Sequence, residues 1–125
     1  MGWISIRNLS RSLPQPLHAR RCISFFCRLR GLTFRRNLPM GEGLLLVQGR
    51  KSRLDAAIHM LFVWIDLAII WLDGQNQVVD VQLARAWRPF YLPDEPARYI
   101  LEVDPAWLPH FEVGDQIEFE EIELD

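Results

Sequence analysis

Residues 67–84 read LAIIWLDGQNQVVDVQLA, and this stretch decides the fold class. Leu67–Leu72 is apolar at every position. A strand buried on both faces reads that way, because successive side chains point to opposite sides of a sheet. Asp73-Gly74-Gln75-Asn76 supplies turn chemistry for a four-residue hairpin connection. The return run alternates: Val79, Val81 and Leu83 point one way, Asp80 and Gln82 the other. One covered and one solvated face follow.

Working outward, the same grammar recurs. Ala57–Val63 is apolar on both alternating faces and predicts a second central strand, with a bend near Ile65-Asp66. Trp3–Leu9 alternates with Ile4 and Ile6 on one side and Trp3, Ser5 and Arg7 on the other. Leu17–Cys22 and Leu44–Gln48 predict short strands, with a basic loop over Gln48–Leu54. Arg98–Val103 predicts another, and a last strand carries Ile117 and Phe119 inward with Glu118, Glu120 and Glu121 outside. Ser24 predicts the N-cap of a helix to about Leu29, stopped by Gly31. Asp104-Pro105 opens a second short helix to about Phe111. Pro14 and Pro16 mark a loop, as do Pro89, Pro93 and Pro96. The expected architecture is mainly β (α+β): a compact antiparallel β-sandwich or barrel of seven to eight short strands with two short helices. The glycines never form G-x-G-x-x-G, and strands do not alternate with long helices, which excludes a dinucleotide-binding α/β fold.

The chain has 125 residues, half of them hydrophobic and 24% charged. That is enough for one globular domain with a substantial core and argues against disorder. The expected division is an N-terminal strand and proline-containing loop over 1–16, a core over 17–119 and an acidic tail over 120–125. The net charge of −2 hides a polarity. Residues 1–53 hold eleven basic side chains and one acid, Glu42; residues 54–125 hold three arginines and fifteen acids. The expectation is that the two halves pack together and neutralise each other. The alternative is an exposed arginine face for a polyanion. Aromatic interleaving is limited to Phe25, Phe26 and Phe34, so a nucleic-acid partner is not expected.

Ala56–Leu72 is the one transmembrane suspect. It is short of a span and contains His59 and Asp66, so it is read as strands, and the chain as not transmembrane. Met1–Ser12 has no apolar run of the signal-peptide kind. A soluble, cytoplasmic protein is expected. Cys22 and Cys27 match no zinc-knuckle spacing and predict buried thiols.

Arg28-Leu29-Arg30-Gly31-Leu32 is followed by Arg35, then Gly43-Leu44-Leu45-Leu46, Ile58-His59-Met60, and Asp66 leading into an apolar strand ended by Asp73. Val78-Val79, Ala97-Arg98-Tyr99-Ile100-Leu101-Glu102 and Gly114-Asp115 close the series. In this order, over residues 17–119, the chain resembles the bacterial and archaeal domain-of-unknown-function family 192. The resemblance implies a mainly β fold with short helices and no established activity, cofactor or partner. Val63-Trp64-Ile65-Asp66 is shorter than the family's aromatic segment and lacks its proline. Thr33 stands where the family favours Met, and Val103-Asp104-Pro105 replaces its Pro-x-Gly.

Candidate chemistry is sparse. His59, Asp66 and Glu102 are polar groups in or beside apolar strands, and a buried member must be paired or hydrogen-bonded. The architectural reading makes His59 a core histidine, Asp66 a cap on the bend, and Glu102 a partner of Arg28, Arg35 or Arg88. The catalytic reading makes His59 and one carboxylate an acid–base pair. No short His spacing supports a metal, and no cofactor is expected. Arg28, Arg35, Trp87 and Arg88 form the candidate ligand-binding set. If the helix after Ser24 meets the loop 84–93, they make an arginine-and-aromatic cleft for an anionic small molecule or a protein partner's carboxylate. The leading expectation is therefore a small β domain that binds a ligand or protein, with catalysis at His59 and polyanion binding as alternatives.

Overall fold

The computed structural model describes residues 2–22, 38–52, 60, 63–88 and 91–122, with the side chains of 49–52 excepted. Its strands are β1 (Trp3–Asn8), β2 (Leu17–Cys22), β3 (Glu42–Ser52), β4 (Leu67–Leu72), β5 (Val78–Ala84), β6 (Ala97–Val103) and β7 (Ile117–Ile122). They form one seven-stranded sheet in the order β5-β4-β6-β3-β2-β1-β7. All pairings are antiparallel except β2 with β3. A parallel pair cannot be joined by a tight hairpin; nineteen residues, 23–41, separate these two strands.

β4 is buried at all six positions, as the apolar run requires. Ala68, Ile70 and Leu72 join one cluster with Ile4, Ile6, Leu45, Leu101, Val103 and Trp107. Leu67, Ile69 and Trp71 join a second cluster with Cys22, Leu44, Leu46, Met60, Val63 and Ile100. The sheet thus has apolar material on both faces of its central strands. β1 alternates as expected, with Ile4 and Ile6 buried. The Asp73–Asn76 hairpin forms: Asp73 Oδ1 accepts the N–H groups of Gln75 and Gln77, and Asn76 takes φ 63°.

Several expectations are corrected. The sheet is not closed into a barrel. Among the described residues the outer strands β5 and β7 meet only near the isolated bridge Gln77↔Gln116, where Val78 and Ile117 also bond across. β3 is eleven residues long and includes part of the expected basic loop, with an irregular register between Val47 and Ser52. The register of β4 on β5 shifts between Trp71 and Leu72, so Val79 does not follow Val81. Val81 packs on the first cluster and Val79 on the second. Asp80, expected to face solvent, is buried; it accepts from Asp94 N–H and Gln82 Nε2 and so ties the loop after Tyr91 to β5.

One short 3-10 helix, Pro105–His110, occurs among the described residues; Asp104 caps it by accepting the Ala106 N–H, as expected. Its Trp107 is fully buried and its indole N–H donates to the Met40 carbonyl. The helix expected after Ser24 and most of the strand expected over 57–63 lie outside the described residues. Cys22 is buried as expected, but it is disulfide-bonded rather than a thiol, in a chain with two cysteines. No helix among the described residues is long and apolar enough to cross a membrane.

The basic and acidic halves meet where β1 lies between β2 and β7. Arg7 pairs with Glu118 at 3.4 Å and Arg21 with Glu121 at 2.6 Å. Arg11 holds Asp115 at 2.8 Å and Glu112 at 3.0 Å. Arg20 stacks over Trp3, 5.2 Å from the ring centre.

Candidate functional site: an aromatic corner and a buried carboxyl

The segment before β4 and the loop after β5 are pinned to one another by backbone polar groups. Met60 donates its N–H to the Arg88 carbonyl at 3.0 Å and accepts the Trp87 N–H at 2.9 Å. Asp66 Oδ1 accepts the Ala86 N–H at 2.8 Å, and its Oδ2 lies 3.6 Å from Arg85 Nη1. The Arg85 N–H donates to the Tyr91 hydroxyl at 2.8 Å. Held from both sides, Trp87 adopts φ 67°. That left-handed conformation is costly for a bulky residue without glycine's freedom, and such outliers concentrate at functional sites.

The constraint has a visible product. Trp87 and Trp64 stand edge to face, centroids 5.1 Å apart and planes at 87°. Both indoles remain open to solvent, 41% and 47% exposed. Arg88 is exposed beside them, and so is Arg85. Two perpendicular indoles with exposed arginines next to them in the chain suit stacking and pairing with a carboxylate or phosphate.

Of the expected set, Trp87 and Arg88 are at this corner with Asp66. Arg28, Arg35 and His59 lie outside the described residues. Asp66 was expected to cap the bend beside it; instead its carboxylate accepts the Ala86 N–H and ties down the loop after β5. Sequence reasoning missed Trp64 and Arg85 as members. A positive φ at tryptophan leaves no compositional trace, and Trp64 reads as one apolar residue among many.

Glu102 lies elsewhere. It sits in the interior of β6 with Leu44 and Ile69 directly opposite, and is 3% exposed. Its Oε1 has no hydrogen-bond partner. Burial pushes its carboxyl up to about 8. The expected pairing with Arg88 does not occur: among the described residues no ion pair includes Glu102. Among the described residues no three His, Cys, Asp or Glu side chains are grouped to hold a metal ion.

The family model described as DUF192, Uncharacterized ACR, COG1430, matches residues 8–119. The chain belongs to this family. A UPF0127 protein of Pyrococcus furiosus is 31% identical over 90% of this chain and 95% of its own length. A UPF0127 protein of Thermococcus sibiricus is 37% identical over 78% of this chain. The DUF192 chain spans 62% of the length of that relative, and 54% of a UPF0127 protein of Thermococcus gammatolerans to which it is 41% identical. Among solved structures, a protein of Sinorhizobium meliloti 1021 named as a candidate transcription regulator superposes with a TM-score of 0.81 at 17% identity, covering 94% of this chain and 92% of its own. A protein of unknown function from Novosphingobium aromaticivorans gives 0.78 at 18% identity, covering 93% of this chain and 83% of its own. The DUF192 fold is shared with both.

Proposed function

We propose that this DUF192 domain is a binding module whose site is the Trp64–Trp87 corner, and that its ligand joins a carboxylate to an apolar or aromatic body. The observation that carries the reading is Trp87, held at φ 67° by polar contacts on both sides with its indole exposed. A half-exposed indole whose backbone is fixed in this conformation gives a ligand a pre-arranged surface. Arg85 lies 3.6 Å from Asp66, and Arg88 is exposed next to Trp87; a ligand carboxylate would find a guanidinium partner here.

The catalytic alternative through His59 is less favoured, because Asp66 is committed to the Ala86 N–H and Glu102 lies apart from it among apolar side chains in β6. Polyanion binding through the N-terminal arginines is also less favoured. Arg7, Arg11 and Arg21 are paired with acids. The regulator name of the Sinorhizobium neighbour therefore finds no support in these arginines. The disulfide at Cys22 is of a kind that persists in oxidising compartments, which weighs against the cytoplasmic expectation.

The five tryptophans make a direct test by nitrogen–proton NMR of the indole groups. Indole-3-acetate and a short peptide ending in free leucine serve as probes, each beside its neutral amide. The reading expects Trp64 and Trp87 to shift with at least one acid and less with its amide; the acid that acts tells a small molecule from a peptide end. Arg88→Ala removes that preference. Equal response to acids and amides, or none, overturns it.

A further inference from the structure

Glu102 is the one described residue whose buried side chain leaves a polar atom unpartnered. On the same face of the sheet, Leu44 and Ile69 are its cross-strand neighbours and Ile100 stands two residues before it in β6. Those three belong to the second cluster with Met60, Val63, Leu67 and Trp71. The next positions out along the row are Arg20 and Gln82, each separated from Glu102 by an apolar strand. A leucine at 102 would suit these surroundings better than a glutamate. An interior acceptor that its fold leaves unmade is costly, and local rules are broken in this way at functional sites.

We infer that Glu102 is the polar anchor of a binding site on the β3–β6–β4 face, for a small and mainly apolar molecule whose single hydroxyl donates to Oε1. The apolar side chains supply contact area and the one acceptor supplies orientation, the usual composition of a small-molecule site. A hydroxyl fits better than an ammonium. An ammonium would require two buried charges with few further partners, and their desolvation offsets their attraction. Burial that holds the carboxyl protonated to about 8 agrees with an uncharged ligand. The inference is independent of the Trp64–Trp87 corner and stands or falls separately.

The probes are phenol, toluene and benzylamine, followed by thermal unfolding and by backbone amide NMR of Leu44, Ile69 and Glu102. Wild type is expected to bind phenol about tenfold tighter than toluene, the effect of one net hydrogen bond. Phenol should shift those three amides. Glu102→Leu should melt no lower than wild type and bind phenol and toluene alike; Glu102→Gln, which keeps an acceptor, should retain the preference. Equal binding of phenol and toluene by wild type overturns the inference. So does tighter binding of benzylamine, or no response to any probe. Loss of several degrees in both variants overturns it too, since Glu102 would then be architectural.

Discussion

Asp66 Oδ1 accepts the backbone N–H of Ala86 at 2.8 Å across twenty residues of chain. This bond joins the segment entering β4 to the loop leaving β5, and it helps hold Trp87 beside Trp64. Asp66→Ala should lower stability by about 1–3 kcal/mol, the cost of leaving a part-buried donor unmet. Asp66→Asn keeps an acceptor oxygen and should lose much less. Chemical denaturation of the two variants measures the difference; equal losses would show that charge, not the cap, matters.

Trp87 offers a comparison that isolates its backbone. Trp87→Gly and Trp87→Ala both remove the indole, but only glycine relaxes φ 67°. The glycine variant should be more stable than the alanine variant by about 1 kcal/mol. An alanine variant equal to or more stable than glycine would mean that the left-handed conformation is not retained in solution.

The buried Glu102 makes stability depend on pH with a definite sign. Its carboxyl is raised from 4.5 to about 8 in the folded protein. Between those values the folded state binds the proton that the unfolded state has released, so Glu102 makes stability fall as pH rises and adds no further change above about 8. The slope from this group approaches about 1.4 kcal/mol per pH unit. Denaturation curves between pH 5 and about 8 should show this decline in wild type, and Glu102→Gln should abolish it.

Asp115 has the opposite sign. Burial raises its carboxyl, but hydrogen bonds from Arg11, Asn8 and the Glu112 N–H, with the charge of Arg11, leave it below the usual carboxylate value. Its contribution is complete above the unfolded value and is lost as pH falls through the lowered folded value. Asp115→Ala should cost about 3 kcal/mol, because Asn8 and Arg11 lose their acceptor. Thermal unfolding at neutral pH reads the cost. At strongly acidic pH the variant and wild type should converge.

Reduction tests the bond at Cys22. Cys22→Ser, or wild type in excess dithiothreitol, should be less stable than the oxidised protein by about 2 kcal/mol. Identical denaturation midpoints with and without reductant would show that the disulfide adds nothing.

The sequence by itself determined the strand content and much of the local detail. The unbroken apolar run Leu67–Leu72 announces a strand covered on both faces, Ile4 and Ile6 announce one buried face, and Asp73–Asn76 announces its turn. These signals are local, because strand periodicity, turn chemistry and the Asp104 cap depend on neighbours in the chain. The charge polarity was also legible, and the Arg7–Glu118, Arg11–Asp115 and Arg21–Glu121 pairs realise it. The tertiary structure decided the rest. Strand order, the parallel β2–β3 pair and the open edge between β5 and β7 arise from long-range pairing that local pattern does not encode. A one-residue shift in register sent Val79 to the opposite cluster and buried Asp80. Glu102 read as the partner of an arginine, and the structure leaves its Oε1 unpartnered instead, because partnership depends on distances that sequence does not carry. The Trp64–Trp87 corner was invisible for the same reason: it forms from two chain segments meeting, and the φ at Trp87 is imposed by Met60 and Asp66 rather than by any residue suited to it.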